Sequence, residues 1–114
     1  FTAILRWNTT GVTVANQLYS PNGLAFDWSQ ALYIAESGKN RVQRYLRGAS
    51  NGTTVCGQMN GTSGTDASQL NYPRKILVTS NRSIYVADWQ NHRVQLWPVG
   101  SSSGITIAGT GKHN

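Results

Sequence analysis

Two acid–base pairs with identical spacing are the first candidates for chemistry in this chain of 114 residues. Glu36 lies five residues before Arg41, and Asp88 lies five residues before Arg93, with a polar turn inside each pair. A carboxylate and a guanidinium on either side of a turn could clamp a substrate. They could instead form an ion pair that holds the turn, a contact that adds little stability where it is exposed. Because the pair occurs twice, the sequence favours the structural role.

Other residues with catalytic or metal-binding chemistry are too scattered to predict a site. Cys56 is the only cysteine, which excludes an internal disulfide framework and a cysteine-based zinc site. His92 and His113 are the only histidines, and no carboxylates cluster with them. The glycine-rich segment 61–65 lacks the lysine and hydroxyl pair of a phosphate-binding loop. We therefore predict a protein that is not an enzyme and uses no metal or cofactor, with Cys56 as a small buried thiol.

The turns inside the two acid–base pairs differ in sequence. The first contains Lys39 and Asn40, and the second contains Trp89, Asn91 and His92. Variable loops on a regular scaffold are common binding surfaces, because they change without disturbing the core. These five side chains are therefore ligand-binding candidates. A solvated rim whose sequence drifts freely would give the same pattern and remains the alternative.

Four asparagines stand in the pattern Asn-X-Ser/Thr, which accepts N-linked glycans. They are Asn8, Asn51, Asn60 and Asn81, and each falls in a predicted turn or at the start of a strand. A glycan would be accessible at such positions. Their placement predicts a secreted or cell-surface protein, with a cytoplasmic location as the alternative.

The composition indicates a turn-rich β protein with a basic surface. Lys and Arg number 10 against 4 Asp and Glu, which gives a formal net charge of +6. This charge could favour RNA or another anionic partner, but the basic residues are scattered along the chain. No apolar run is long enough to insert into a membrane, and the first residues do not form an intact signal peptide. We expect the chain to be processed or cut from something longer.

The elements that position these residues recur along the chain. Tyr33 and Tyr85 are 52 residues apart, and the same register relates segment 18–57 to segment 70–109 without a gap. Each complete unit contains four short runs rich in β-branched and aromatic residues, separated by turn residues. The predicted units are a partial one at 1–17 that supplies two strands, the second at Gly11–Ala15, a complete one at 18–69 and another at 70–114.

The predicted strands carry apolar side chains on both faces, so each sheet must be covered on both sides. Radial packing of four-stranded sheets, as in a β-propeller, provides such cover. A period of about 50 residues suits one blade per unit. We predict an all-β chain of four-stranded antiparallel blades that forms an incomplete ring, because a propeller typically needs about four to eight blades.

The motifs of these units resemble those of the NHL repeat family. The family pattern begins with Pro-x-Gly, continues with apolar-Tyr-Val-Ala-Asp and ends with Asn-x-Arg-Val-Gln. It stands here as Pro21–Asp27, Leu32–Glu36 and Lys39–Gln43, with second copies at Tyr85–Asp88 and Asn91–Gln95. The second unit departs from the pattern at Lys75 and Thr79, where the first has Gly23 and Asp27.

The resemblance implies that the polar turns share one face with the segments that begin each first strand, near Asn22 and near Arg74 and Lys75. Relatives bind RNA or protein on that face. Lys39, Arg74 and Lys75 could contact phosphates there, and Trp89 could stack on a base or a sugar. Enzymatic relatives, the amidating lyases, hold a metal with several histidines, whereas this chain has only two.

We predict a non-enzymatic binding module that presents its turns to a protein or glycan ligand outside the cell. A closed ring of this family usually has six blades, so we expect further blades in a longer chain or self-assembly of copies. The alternative is an RNA-binding NHL domain, as in tripartite-motif ubiquitin ligases, which would use the basic face.

Overall fold

The computed structural model describes residues 11–109, whose strands form two antiparallel sheets of four strands each. The first sheet contains β1 (Pro21–Phe26), β2 (Leu32–Glu36), β3 (Arg41–Tyr45) and β4 (Thr53–Gly57). The second contains β5 (Pro73–Val78), β6 (Ile84–Asp88), β7 (Arg93–Trp97) and β8 (Ile105–Gly109). The strands of each sheet pair in chain order, so each sheet is one blade, and the predicted fold class is confirmed.

Each blade has one short 3-10 turn between its second and third strands. These turns are Ser37–Lys39 in the first blade and Trp89–Asn91 in the second. The residue after each turn, Asn40 or His92, adopts a left-handed backbone with φ of 55° or 53°. In the described range no helix is long and apolar enough to cross a membrane.

The two blades have the same internal register, as the 52-residue offset predicts. β2 pairs with β3 from Leu32 opposite Tyr45 to Glu36 opposite Arg41. β6 pairs with β7 in the equivalent way, ending with Asp88 opposite Arg93. The pairing of the third strand with the fourth shifts at the same position in both blades. Equivalent residues therefore have the same local backbone and differ mainly in what surrounds them.

The core lies between the facing sides of the two sheets. β5 packs against β1 and β2, so the innermost strand of the second blade covers the first blade. The buried cluster contains Tyr33, Ala35, Val42 and Cys56 from the first blade and Ile84, Val86 and Trp97 from the second. Removing such apolar area from water stabilises the contact by about 25 cal/mol per Å².

The other face of each sheet is open and apolar. Leu24 and Phe26 are 67% and 60% exposed on the first blade, and Leu77 is 62% exposed on the second. A groove of about 790 Å³ lies on the open side of the first blade, bordered by Phe26, Leu32 and segment 13–16. Alternate side chains of a strand point to opposite faces, so both faces are apolar as predicted, and the two blades cover one face each.

β1 and β5 approach each other closely at Gly23. A Cβ atom at this position would lie 2.1 Å from the carbonyl oxygen of Arg74 and 3.3 Å from the Cα atom of Lys75. A side chain at position 23 would therefore force the two inner strands apart. Lys75 occupies the equivalent position in the second blade.

An ion pair joins the blades at the other end of the strands. The Asp27 carboxylate accepts hydrogen bonds from the backbone and hydroxyl of Ser29 and from the hydroxyl of Tyr33, and it lies 3.3 Å from Nε of Arg82. Burial by itself raises the pKa of Asp27, but the hydrogen bonds outweigh burial and lower this pKa to about 2. Burial, followed by the contact with Asp27, raises the pKa of Tyr33. Asp27 therefore stays ionised and remains an acceptor at neutral pH.

The predicted strand at Gly11–Ala15 is absent, since residues 11–20 contain no strand. The rest of the predicted partial unit, residues 1–10, lies outside the described residues. Two strands alone form a hairpin that is at best marginally stable in water. The sequence match of this segment to β8 is therefore insufficient to form a strand, because the inner half of a blade is needed to support the outer half.

Replacing Gly23 with alanine should destabilise the fold, because the new methyl group overlaps the Arg74 carbonyl. Overpacking of this kind lowers the free energy of unfolding by about 1–3 kcal/mol. Gly11→Ala is the matched control, because nothing lies within 4 Å of a Cβ atom there. Urea denaturation followed by tryptophan fluorescence, to which buried Trp97 contributes, measures both variants. Equal midpoints would show that β1 and β5 do not touch at Gly23.

Candidate functional site

The two acid–base pairs lie at the same end of the two blades and form buried ion pairs. Nε of Arg41 is 3.0 Å from Oε2 of Glu36, and Nε of Arg93 is 2.8 Å from Oδ2 of Asp88. Both carboxylate residues are fully buried. The members of each pair face each other across neighbouring strands, so the ion pair closes the strand ends beneath the turn. The predicted structural role of the pairs is confirmed.

The carboxylates also hold the segment that leads into the first strand of each blade. Glu36 accepts a hydrogen bond from the backbone N–H of Tyr19 at 3.1 Å. Asp88 accepts the equivalent bond from Asn71 at 2.7 Å. Hydrogen bonds to a charged acceptor are among the stronger ones in proteins. Each carboxylate therefore fixes two pieces of chain that are distant in sequence.

The arginines in turn hold the linker between β4 and β5. Arg93 donates to the carbonyl oxygens of three residues of segment 58–69, which joins the blades; they are Thr65, Asp66 and Gln69. Arg41 donates to the carbonyl oxygen of Met59 in the same segment. The guanidinium groups are thus occupied by the protein itself and are not positioned to clamp a substrate.

Asn40 and Asn91 belong to this scaffold as well. The Asn40 side chain donates to the carbonyl oxygen of Gly61 at 3.0 Å, and the Asn91 side chain donates to that of Gly64 at 2.8 Å. Asn91 is also buried, with 4% of its surface exposed. Both residues were predicted to contact a ligand, and that role stays a prediction beside the linker contacts that the structure shows. A ligand could use either amide only by breaking the contacts that hold the linker.

The remaining candidates lie above the scaffold, and two of them are cations stacked on aromatic rings. Nζ of Lys39 lies 4.9 Å from the ring centroid of Tyr19. The guanidinium carbon of Arg74 lies 4.2 Å from the ring centroid of Trp89 and 5.8 Å from that of Tyr72. The quadrupole of an aromatic ring attracts a cation above its face. These contacts give both basic side chains a defined position.

These side chains form one continuous surface. The Asn22 side chain donates to the hydroxyl of Ser37 at 2.8 Å, so the start of β1 lies beside the first turn, as predicted. The Ser37 hydroxyl donates in turn to the carbonyl oxygen of Pro73 in the second blade. We call this surface the loop face and define it by Tyr19, Asn22, Lys39, Tyr72, Arg74, Trp89 and His92. Lys75 follows Arg74 along β5 and is exposed beside it.

The loop face is positively charged because most acidic residues of the chain are buried and paired with arginines. The chain has four acidic residues, and Asp27, Glu36 and Asp88 are buried and paired with arginines. Asp66 is exposed in the linker. Lys39, Arg74 and Lys75 form no ion pair within residues 11–109. Their charges are therefore available to a partner.

Cys56 lacks the features of a reactive thiol. It is buried, and burial raises its pKa well above the usual range, which keeps the thiol protonated. The predicted small buried thiol is confirmed. Across residues 11–109, no three histidine, cysteine, aspartate or glutamate side chains cluster in a way that could hold a metal ion.

Three of the four glycosylation candidates are exposed, and the fourth, Asn8, lies outside the described residues. Asn51 lies in the turn before β4 and Asn81 in the turn before β6, both at the end of the blades opposite the loop face. Asn60 lies in the linker, and the next residue, Gly61, is close to the Lys39 side chain. Glycans at the first two sites would leave the loop face uncovered.

Comparison with known proteins identifies the repeat. The sequence pattern of the NHL repeat matches residues 18–45 and again residues 70–96. Each match runs from the segment before the first strand into the third strand, and so includes the acid–base pair and the turn. A search of curated proteins finds no match to this chain.

Replacing Arg93 with glutamine should lower the free energy of unfolding by about 3–5 kcal/mol, because it leaves a buried carboxylate without its charge partner. Arg41→Gln should cost less, since the Arg41 side chain is 17% exposed and the Arg93 side chain is 6% exposed. Arg47→Gln makes the same change at an exposed turn and is the control. Urea denaturation compares the three variants, and an equal loss at positions 93 and 47 would contradict the structural role.

Proposed function

The chain contains two NHL repeats, and from this premise we infer that it is a non-enzymatic binding module whose loop face holds a protein or glycan ligand. NHL repeats generally serve as interaction scaffolds, and the two blades present their turns on one surface. The observation that carries the proposal is the contrast between this surface and its support. The ion pairs below occupy equivalent positions in both blades, whereas the exposed side chains above them differ.

The buried ion pairs beneath the loop face favour ligand binding, because they hold the backbone of the turns in place before a ligand binds. Glu36 and Asp88 each hold a turn, a strand end and a neighbouring segment in one arrangement. A surface that is already ordered loses less conformational entropy when a ligand binds. Trp89, which is 48% exposed, supplies the kind of large side chain that dominates binding energy at interfaces.

Selection from a dodecapeptide display library and from immobilised glycans tests this proposal. We expect a selected ligand to lose about tenfold in affinity with Trp89→Ala, since one aromatic anchor contributes at least that much. Trp28→Ala is the matched control, because Trp28 is an exposed tryptophan at the opposite end of the blades. A selection without any ligand, or ligands that depend on Trp28 instead, would contradict the proposal.

We further propose that the protein is extracellular or displayed at the cell surface. The exposure of Asn51, Asn60 and Asn81 supports this location, because an enzyme that attaches glycans could reach all three. The cytoplasmic alternative would leave the same asparagines unmodified.

Mass spectrometry of the protein from its natural source tests the location. After glycosidase release, a glycosylated asparagine is converted to aspartate, and we expect this conversion at Asn51 and Asn81. Asparagines that lie outside the Asn-X-Ser/Thr pattern, such as Asn22, are the internal control. Unmodified asparagine at all of the exposed pattern positions would contradict the extracellular location and favour the cytoplasm.

RNA binding is the second candidate function, and it is supported by the cations of the loop face and the neighbouring Lys75, which form no ion pair in residues 11–109. Lys39, Arg74 and Lys75 could contact phosphates, and the net charge of +6 would favour association with a polyanion. Such binding would be tight for single-stranded RNA and would weaken steeply as salt is added.

A further inference from the structure

The stacked arrangement of Arg74 points to the chemistry of the ligand. Its guanidinium carbon lies over the Trp89 ring, 4.2 Å from the ring centroid. The N–H groups of a guanidinium lie in its plane, and one edge of the group can donate two parallel hydrogen bonds. A carboxylate accepts such a pair with matching geometry. Arg74 is thus prepared for a planar, negatively charged partner.

Lys39 supplies a second cation beside the same junction between the blades. The Asn40 side chain, next to Lys39, accepts a hydrogen bond from the backbone N–H of Tyr72 at 2.8 Å. Tyr72 is itself one of the rings near Arg74. The Lys39 turn and the Arg74 strand are therefore tied together at the junction between the blades.

The same stacking argues against nucleobases as the primary ligand. Proteins that bind single-stranded RNA usually offer uncovered aromatic faces on which bases stack. On the loop face, Lys39 covers one face of Tyr19, and Arg74 covers one face of Trp89. A base that stacks on either covered face would have to displace the cation that attracts the phosphate. Carboxylates need only the cations and leave the rings as they are.

No acidic side chain of the chain competes for these cations. Three of the four acidic residues are buried in ion pairs, and Asp66 forms no ion pair in the described part of the chain. The charges of the loop face consequently act on approaching ligands without internal neutralisation. Such a field increases the association rate of partners with opposite charge.

We propose that the loop face binds an acidic peptide segment. Arg74 binds one carboxylate of the peptide through paired hydrogen bonds, and Lys39 contacts a second carboxylate. This inference rests on the proposed binding function and assigns the chemical class of its ligand. The rings of Tyr19 and Trp89 hold the two cations in defined positions.

Fluorescence anisotropy with labelled octaglutamate tests the inference, with octaglutamine and octauridylate as probes of matched length. We expect the purified chain to bind octaglutamate, to ignore octaglutamine and to bind octauridylate more weakly. Arg74→Ala should weaken octaglutamate binding about tenfold, the effect of one charge-assisted hydrogen-bonded contact. Arg47→Ala removes the same charge from an exposed turn at the other end of the blade and should change affinity less than about twofold.

A second variant separates geometry from charge. Arg74→Lys keeps the charge but cannot form the paired hydrogen bonds, so we expect it to weaken binding severalfold. Equal effects at positions 74 and 47 would overturn the inference, as would tighter binding of octauridylate, which identifies RNA as the ligand. If octaglutamate does not bind but a selected ligand that depends on Trp89 does, the acidic class of the ligand is overturned. The proposal of a binding module is then retained. Failure of both assays would remove both proposals.

Discussion

A carboxylate that leaves water must be paired, and this requirement organises each blade. Burying an unpaired charge costs several kcal/mol or more, so Glu36 and Asp88 each need an arginine beside them. An arginine has five N–H donors, and one carboxylate cannot accept all of them. The remaining donors find the carbonyl oxygens of the linker. One buried charge therefore orders a turn, two strand ends and a connection that has no regular structure of its own.

Much of the fold could be predicted from the sequence repeat, because each strand occurs twice with its apolar side chains at the same positions. The structural role of the ion pairs followed from the same recurrence. The hydrogen bonds of Asn40 and Asn91 to the linker could not be predicted. An asparagine in a polar turn looks the same in sequence whether its amide faces solvent or a carbonyl group. The partner lies more than twenty residues away in the linker, which has no sequence period. The aromatic rings of Tyr19 and Tyr72 were also missed, because they occupy different positions in the two repeats.

The loop face combines an ordered backbone with side chains that differ between blades. Ser37 in the first blade corresponds to Trp89 in the second, and Lys39 corresponds to Asn91. The amide that holds the linker moves by one position between the blades, from Asn40 to Asn91. The scaffold thus tolerates exchange of its anchoring residue as long as one amide reaches a linker carbonyl. This tolerance leaves the neighbouring position free to vary between blades.

The contact at Gly23 has a consequence for the geometry of any longer array of such blades. The inner strands can come as close as β1 and β5 do only where the first of them has no side chain at this position. Lys75 occupies that position in the second blade, so the step from the second blade to a following one cannot repeat the step from the first to the second. The curvature of such an array is therefore not a constant of the repeat. It is set junction by junction, through the size of a single residue on each inner strand.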